Sequence, residues 1–524
     1  MNLVLDIERA PGTGARQHVA GQLRAALLSG QVAAGEPLPS TRVLAASLAV
    51  SRGTVVAAYE DLAGEGYVEI RPGSGTFAAR ELPGAAKVVP QDPAPSTGPR
   101  QKAAQPGDTA EISLSPGSPA ARFHEDREWV AAWRAALRTP APPVPPGPAG
   151  EAPLRQLIAQ HLAAHRGVRC SADEILITAG TSDALGLLVH GLAERTRGRI
   201  GATGGKEDPR LRIATEDPGY PAARRVLERL GAEAVPIPLG DGGMDLAALA
   251  AAPGPFAAAL LTPSHQYPLG GRLHVADRLA LIAWAEREDA VLIEDDYDSE
   301  FRHGAPALPA VASLDATGRV VHIGSYSKTL TPWLRCGYVV VPDPGLRARM
   351  LEVREDLGQP VSGAMQLALA EYLRSGGLRR HLARRGREYA HRRGLVMRAL
   401  EALAPGVRLA AVEGGLHAVL TWDSGPPSGE VVRALARRSI RVAPLTDYYH
   451  PGSPRLRHGI VFGYGAPTDL QLQAALAAIV DELGGCAGGA KGRWGAIQPR
   501  GTTPTRTSRC SAARTSAASS SERG

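Results

Sequence analysis

Lys328 stands in Ile-Gly-Ser-Tyr-Ser-Lys-Thr-Leu-Thr-Pro-Trp-Leu-Arg-Cys-Gly (323–337), after an apolar strand-like segment and ahead of Arg335. An amine placed there, flanked by the hydroxyls of Ser325 and Ser327 and followed by a guanidinium, suits an imine with an aldehyde that carries a phosphate. That is the pattern of a pyridoxal 5'-phosphate lysine. Such a site also needs an acid opposite the pyridine nitrogen, a donor to the phenolate oxygen and a phosphate cradle. In Val-Leu-Ile-Glu-Asp-Asp-Tyr-Asp-Ser-Glu-Phe (291–301) an apolar strand ends in carboxylates, where α/β sheets place ligand chemistry. Asp295 is read as the ring-nitrogen partner, with Asp296 as the alternate, and Tyr297 as the phenolate donor.

The cradle is sought where a strand turns through glycine into a helix, because unsatisfied N–H groups there attract an anion. Thr178-Ala179-Gly180-Thr181-Ser182-Asp183 has that form, so Gly180, Thr181 and Ser182 join Ser325, Ser327 and Arg335 as phosphate partners. Tyr220, in Glu-Asp-Pro-Gly-Tyr, is placed either to stack on the cofactor ring or to anchor its loop. His265, His417 and the Tyr448-Tyr449-His450 run are read as satisfied structural groups, with pocket lining as the alternative.

A second chemistry lies near the other end. Apolar residues recur with helical spacing over 16–29, Ser40 is an N-cap signal for a helix over 41–48, and Ser51 caps another over 52–64. Two short helices meeting at Ala49-Val50 make a helix-turn-helix, whose second helix would carry Arg52 and Thr54 to base edges or phosphates. Val55, Val56 and Leu62 are expected to pack it down. Beyond it, strands over 67–70 and 76–79 flank Arg71-Pro72-Gly73-Ser74-Gly75, whose glycines let a wing approach DNA closely.

Net charge does not carry the DNA reading. The chain of 524 residues has a formal charge of +7, yet residues 1–80 hold seven arginines against seven acids, while 486–524 hold seven basic residues against one acid. The excess belongs to a Gly-, Ser- and Ala-rich tail, 485–524, read as disordered. The four cysteines form no C-x-x-C pair, and no leader or long uncharged apolar run is found, which is the composition expected of a cytoplasmic protein with no membrane segment.

The length implies more than one folded unit. Residues 1–80 form the DNA-reading module, and 81–110, rich in Pro and Gly, a linker. Apolar runs at 175–178, 211–215, 257–262, 291–293, 320–323 and 338–341 alternate with helical patterns such as 183–193 and 276–288, which points to an α/β sheet flanked by helices. Pro-rich 139–153 and polar 198–210 are expected to be loops, 364–405 helical, and 406–484 a smaller α+β unit.

Leu-Pro-Ser-Thr-Arg, Ser-Arg-Gly-Thr-Val, Tyr-Glu-Asp-Leu, Glu-Gly-Tyr-Val and Gly-Ser-Gly-Thr-Phe stand in register over residues 13–79. Together they resemble the winged helix-turn-helix of GntR-type regulators, and the resemblance implies Arg42, Arg52, Thr54 and Gly75 as DNA contacts. With Thr-Pro-Ser-His-Gln-Tyr-Pro-Leu-Gly (262–270) and Gly-Gly-Leu-His (414–417), residues 111–484 resemble an aminotransferase-like domain of the pyridoxal-phosphate-dependent transferase fold type I, with a smaller C-terminal α+β subdomain. The order of parts is that of the MocR subfamily, which includes GabR-like and PdxR-like regulators. It implies a homodimer in which each winged helix lies over the partner's large domain and the pocket is shared.

The sequence also departs from working aminotransferases of this fold. Where they carry an Asn that bonds the phenolate, Tyr267 precedes Pro268. Val461 aligns with the arginine that grips a substrate carboxylate; Arg455 and Arg457 are near enough in sequence to substitute. The arginine of GabR-like members after the stacking tyrosine falls on Ala222, with Arg224 and Arg225 beyond. The reading that results is a regulator binding a double-stranded DNA operator under the control of pyridoxal 5'-phosphate or an amine effector. An active aminotransferase with an attached helix-turn-helix is its alternative, and a cofactor-free interaction scaffold a third.

Overall fold

The computed structural model describes residues 15–79 and 111–484, leaving aside 72, 121–125, 141, 204–209, 304–308, 402, 404–405 and the side chains of 197–203. The proposed linker, 81–110, and tail, 485–524, lie outside the described residues. The chain divides into two units, Met1–Ala104 and Gln105–Gly524.

In the first unit, helices Ala15–Leu28, Thr41–Ser47 and Arg52–Gly64 are followed by a hairpin pairing Val68–Arg71 with Gly75–Ala78. Ser40 accepts from Val43 N at 3.4 Å and Ser51 from Thr54 N at 3.1 Å, so each serine satisfies a donor that the helix start leaves open. Val55, Ala58, Tyr59 and Leu62, one face of the third helix, meet Leu23, Leu27 and Leu44 in the core. Val56 falls off that face and is only half-buried, with Ala58 taking the inward position instead. The Tyr59 hydroxyl donates to the Pro39 carbonyl at 2.7 Å, which lets the ring be buried without an orphaned polar group.

The second unit is built on a seven-stranded sheet in the order Ile175–Thr178, Gly337–Val340, Val320–Ser325, Val291–Asp296, Ala258–Leu261, Arg212–Asp217, Glu233–Pro238. Gly337–Val340 runs antiparallel to both neighbours, and the other pairs are parallel. Adjacent residues enter opposite cores: Ile213, Ala258 and Val291 join one, Ala214, Ala259 and Leu292 the other. Helix Thr181–Thr203 packs on the first face and Val275–Arg287 on the second. A sheet covered on both sides has no polar face, which is why these strands read as unbroken apolar runs.

Two expectations need correction. Residues 198–203 are not loop but the last turns of helix Thr181–Thr203. Once Leu185, Leu188 and Leu192 anchor that helix, adding a residue costs little, and a glycine costs only about 1 kcal/mol. Strand Glu233–Pro238 was not anticipated: Pro236 and Pro238 argue against a central strand but are tolerated on this sheet edge.

Helix Gly363–Arg374 packs on the large sheet with Ile175, Ile177 and Tyr338, and a break at Gly376, whose φ is +74°, leads into Gly377–Leu400, which reaches the smaller lobe. A four-stranded sheet of Val407–Ala410, His417–Trp422, His458–Gly463 and Ala443–Pro444 packs against helices Ser428–Arg437 and Asp469–Gly484. The segment after 111 begins in this lobe, since Ile112–Ser113 pairs with Ile440–Arg441. It then runs beside His458–Gly463, where a Cβ on Gly463 would come 2.4 Å from the Ser115 carbonyl oxygen. No helix among the described residues is long and apolar enough to cross a membrane.

Candidate cofactor site and DNA-reading surface

Strand Val320–Ser325 passes into the short helix Tyr326–Thr329, and Ser325 closes the turn by accepting from Ser327 N at 3.2 Å. This turn sets Lys328 at the carboxyl edge of the sheet. Burial lowers the pKa of its ammonium against the pull of Asp298 and Asp295, which brings the neutral, nucleophilic amine within easier reach.

Pleating separates the two candidate acids at the end of Val291–Asp296. Burial pushes Asp296 up, but Arg166 at 2.7 Å and His322 outweigh it and hold the carboxyl below its usual range. Asp296 is thus occupied by a buried ion pair. Asp295 lines the cleft instead, near the Thr181 hydroxyl at 3.4 Å, and burial followed by repulsion from Asp296 pushes it up to about 7. A cation placed against Asp295 would restore its charge.

Lys328, Asp295, Tyr297 and Tyr220 line one cleft of about 840 Å³. Gly180, Thr181 and Ser182 enter it from one helix start, and Ser325, Ser327 and Arg335 from the turn that carries the lysine. The backbone is bent for the purpose at both places: Gly180 has φ +99° and Arg335, exposed at the mouth, φ +44°. Tyr220 keeps 39% of its surface exposed and meets Tyr267 edge-on, ring centroids 5.8 Å apart.

Three residues had escaped the sequence reading. Gly117, φ +68°, lies so near the lysine that a Cβ there would come 3.1 Å from Lys328 Nζ. Only the Pro-Gly turn signal in Ser-Pro-Gly-Ser-Pro hinted at it. Glu216 is buried behind Thr262, accepting from its hydroxyl at 2.6 Å and its N–H at 3.1 Å, and burial raises it to about 7. Asp298 holds His265 Nδ1 at 2.8 Å. Neither acid stands out from its neighbours by spacing.

The position read as that of a carboxylate-gripping arginine has apolar surroundings. Val461 is fully buried, opposite Val419 in the small-lobe sheet, and packs with Tyr448, Tyr449 and Tyr267. Arg455 and Arg457, offered as substitutes, are exposed and do not line the cleft. Arg224 is engaged with the Tyr449 carbonyl at 2.9 Å, and Ala222 supplies no cation. Tyr267 is the hub of an aromatic wall, with Tyr297, Tyr448 and His417 centred 5.3, 5.5 and 5.0 Å away. His265 and His417 are buried behind this wall, and His450 lines an adjoining crevice of about 440 Å³ with Glu216 and Tyr220.

On the winged module, Arg42, Arg52 and Gly75 are exposed and Thr54 half-buried. Arg52 Nε donates to Thr41 Oγ1 at 3.3 Å, so the starts of the second and third helices converge. Thr54 Oγ1 and the capping Ser51 Oγ are 2.8 Å apart. Gly75, φ +111°, has open space where a Cβ would stand.

A winged helix joined to a transferase-fold domain with a lysine-bearing cleft defines a class: a transcription regulator that has taken over an enzyme scaffold. Residues 15–78 match the family of bacterial regulatory proteins, gntR family. The chain is 39% identical to the pyridoxine biosynthesis transcriptional regulator PdxR of Corynebacterium glutamicum over 88% of its own length and 94% of the relative's. It is 33% identical to the probable rhizopine catabolism regulatory protein MocR of Rhizobium meliloti, over 84% and 88%. In fold it is similar to the kynurenine aminotransferase of Pyrococcus horikoshii, with 22% identity, 72% and 92% coverage and a TM-score of 0.62. The chain belongs to the MocR subfamily of GntR-type transcription regulators.

Proposed function

We propose that Lys328 holds pyridoxal 5'-phosphate as a Schiff base, and that occupancy of the cleft, by the cofactor itself or by an amine compound, sets the affinity of the winged module for a double-stranded DNA operator. The observation that carries this reading is that the lysine, the acid, the tyrosine and both halves of an anion cradle, each chosen for a separate chemical need, open into one cleft. Bound there, the cofactor supplies a reactive aldehyde. Asp295 would face its ring nitrogen, Tyr297 its phenolate, Tyr220 its ring, and Gly180, Thr181, Ser182, Ser325, Ser327 and Arg335 its phosphate. Gly117 supports the fit, since any side chain at that position would crowd the amine.

The apolar substrate end favours the cofactor as effector and disfavours turnover of amino acids. A ligand shifts a regulator only by its differential affinity for two arrangements, typically 1–3 kcal/mol. The protein would act in the cytoplasm as a homodimer, reading DNA through Arg42, Arg52, Thr54 and Gly75. Operator binding followed with and without pyridoxal 5'-phosphate tests the reading: the cofactor should move the affinity of the wild type and leave Lys328→Ala unmoved. A response to an amino acid and none to the cofactor would reverse the choice of effector. Sustained ketoacid production would favour the enzyme. Arg52→Ala should weaken operator binding by about 1–3 kcal/mol without altering the cofactor's visible absorption.

A further inference from the structure

Behind the cleft, Tyr297, His265 and Asp298 form a buried set whose proton positions can be worked out. His265 Nδ1 is 2.8 Å from Asp298 Oδ2 and 3.1 Å from the Tyr297 oxygen. The same tyrosine oxygen is 3.0 Å from the His265 carbonyl oxygen. An ionised carboxylate only accepts, so Nδ1 carries the imidazole proton and donates it to Asp298, with the Tyr297 oxygen as a second acceptor. A protonated Nδ1 has no lone pair left for the Tyr297 proton. That proton therefore goes to the His265 carbonyl or to Asp298, with which the hydroxyl also hydrogen-bonds, or, when the cleft is filled, to an acceptor in the cleft, which Tyr297 lines.

The remaining nitrogens agree with this assignment. His265 Nε2 becomes a bare lone pair, and it has no hydrogen-bond partner among the described residues. His417 Nε2 is 2.9 Å from the Pro268 carbonyl oxygen, so it carries its own ring's proton, and the unpartnered Nδ1 is bare as well. Burial first, and then His265, bring His417 down to about 4, so it stays uncharged beside the set. The place of Asp298 is fixed by Gly415 of the small lobe, where a Cβ would come 1.9 Å from Asp298 Oδ2.

We propose that Asp298 and His265 are positioning residues for Tyr297: with the imidazole proton on Nδ1, they hold the tyrosine oxygen at the cleft wall, from which its hydroxyl turns to donate to an anionic oxygen of the bound cofactor. The inference rests on the cofactor reading above. Tyr267 occupies the place of the asparagine that would supply a second donor, so the aim of Tyr297 has to be set by other means. The titratable groups around the tyrosine are Asp295, Asp298, Tyr267, His265 and His417, with Lys328 in the same cleft.

The test is a pH titration of the visible band of the protein loaded with pyridoxal 5'-phosphate. A donor to an anionic oxygen favours the deprotonated form, so Tyr297→Phe should raise the titration midpoint by on the order of one pH unit. His265→Ala and Asp298→Ala should move it in the same direction. Asp298→Asn, whose amide oxygen still accepts, should recover part of the shift. The double variant His265→Ala/Tyr297→Phe should go no further than Tyr297→Phe alone. If His265→Ala does not hold the cofactor, Asp298→Ala with and without Tyr297→Phe makes the same comparison. A wild-type midpoint in the His265 and Asp298 variants, or shifts that add to that of Tyr297→Phe, overturns the inference while the band itself upholds the cofactor reading. No band in the wild type removes both.

Discussion

The two ends of the cleft have been treated differently. At one, Lys328, Asp295, Thr181, Ser325, Ser327 and Arg335 present an amine, an acid, hydroxyls and a guanidinium. At the other, Tyr267 lines the cleft, backed by the buried Val461 and by Tyr448. An enzyme that exchanges amino groups between substrates needs both ends polar, because each substrate brings a carboxylate that must be held and desolvated. A sensor of the cofactor needs only the first.

The largest expected effect comes from forcing the second end back toward the first. Val461→Arg would bury a guanidinium among Val419, Tyr448 and Tyr449. An unpaired buried charge costs about 3–5 kcal/mol, to be read as a fall in the denaturation midpoint. If the variant keeps wild-type stability and makes operator binding sensitive to an amino acid, this end is a dormant carboxylate site and the contrast between the ends is lost.

Next in size is a pH dependence that the acids on the two sides of Thr262 should share. Asp295 and Glu216 are both raised to about 7, chiefly by burial. Each binds its proton more tightly in the folded chain than in the unfolded one, where carboxyls titrate near about 4. Between those values the folded state holds more protons, so stability falls as pH rises from about 4 to about 7, by on the order of 3–4 kcal/mol for each group. Glu216→Gln should flatten the slope in melts of the cofactor-free protein. Adding pyridoxal 5'-phosphate should remove the share of Asp295, which gains a cationic partner, and leave that of Glu216. A slope that neither change alters would mean that these carboxyls are ionised in the folded protein.

How far this was legible beforehand follows from the range of the interactions. The helix-turn-helix is local: its caps lie three residues from the N–H groups they satisfy, and its core follows helical spacing, so only Val56 was misplaced. The cofactor residues could be named singly because each sits at a strand end or helix start with its own signal. Their convergence could not, since it depends on the order in which the strands enter the sheet. Asp295 was already preferred to Asp296 on its place in the run, but the Arg166 that engages Asp296 is remote in sequence. The turns at 198–203 and the edge strand Glu233–Pro238 went against local propensity and were settled by packing and edge position. Gly117 arrives from a segment that belongs to the small lobe, and periodicity carries no trace of that path.

That glycine gives the smallest and most local test of the contrast. Its φ of +68° strains any L side chain, and an added Cβ would stand 3.1 Å from Lys328 Nζ. Gly117→Ala therefore incurs about 1 kcal/mol of backbone strain, to be seen in the melt, and crowds the amine as well. Because the crowding falls at the polar end, the affinity for pyridoxal 5'-phosphate should drop by about tenfold, roughly 1.4 kcal/mol, in a titration of the visible band. Gly463→Ala is the matched control. Its Cβ would meet the Ser115 carbonyl oxygen at 2.4 Å, so it disturbs the same segment from the small-lobe sheet. If both variants lower cofactor affinity equally, the segment acts as a whole and Gly117 has no special part in the polar end. If Gly117→Ala alone does so, the room available to the lysine is set at Gly117 itself.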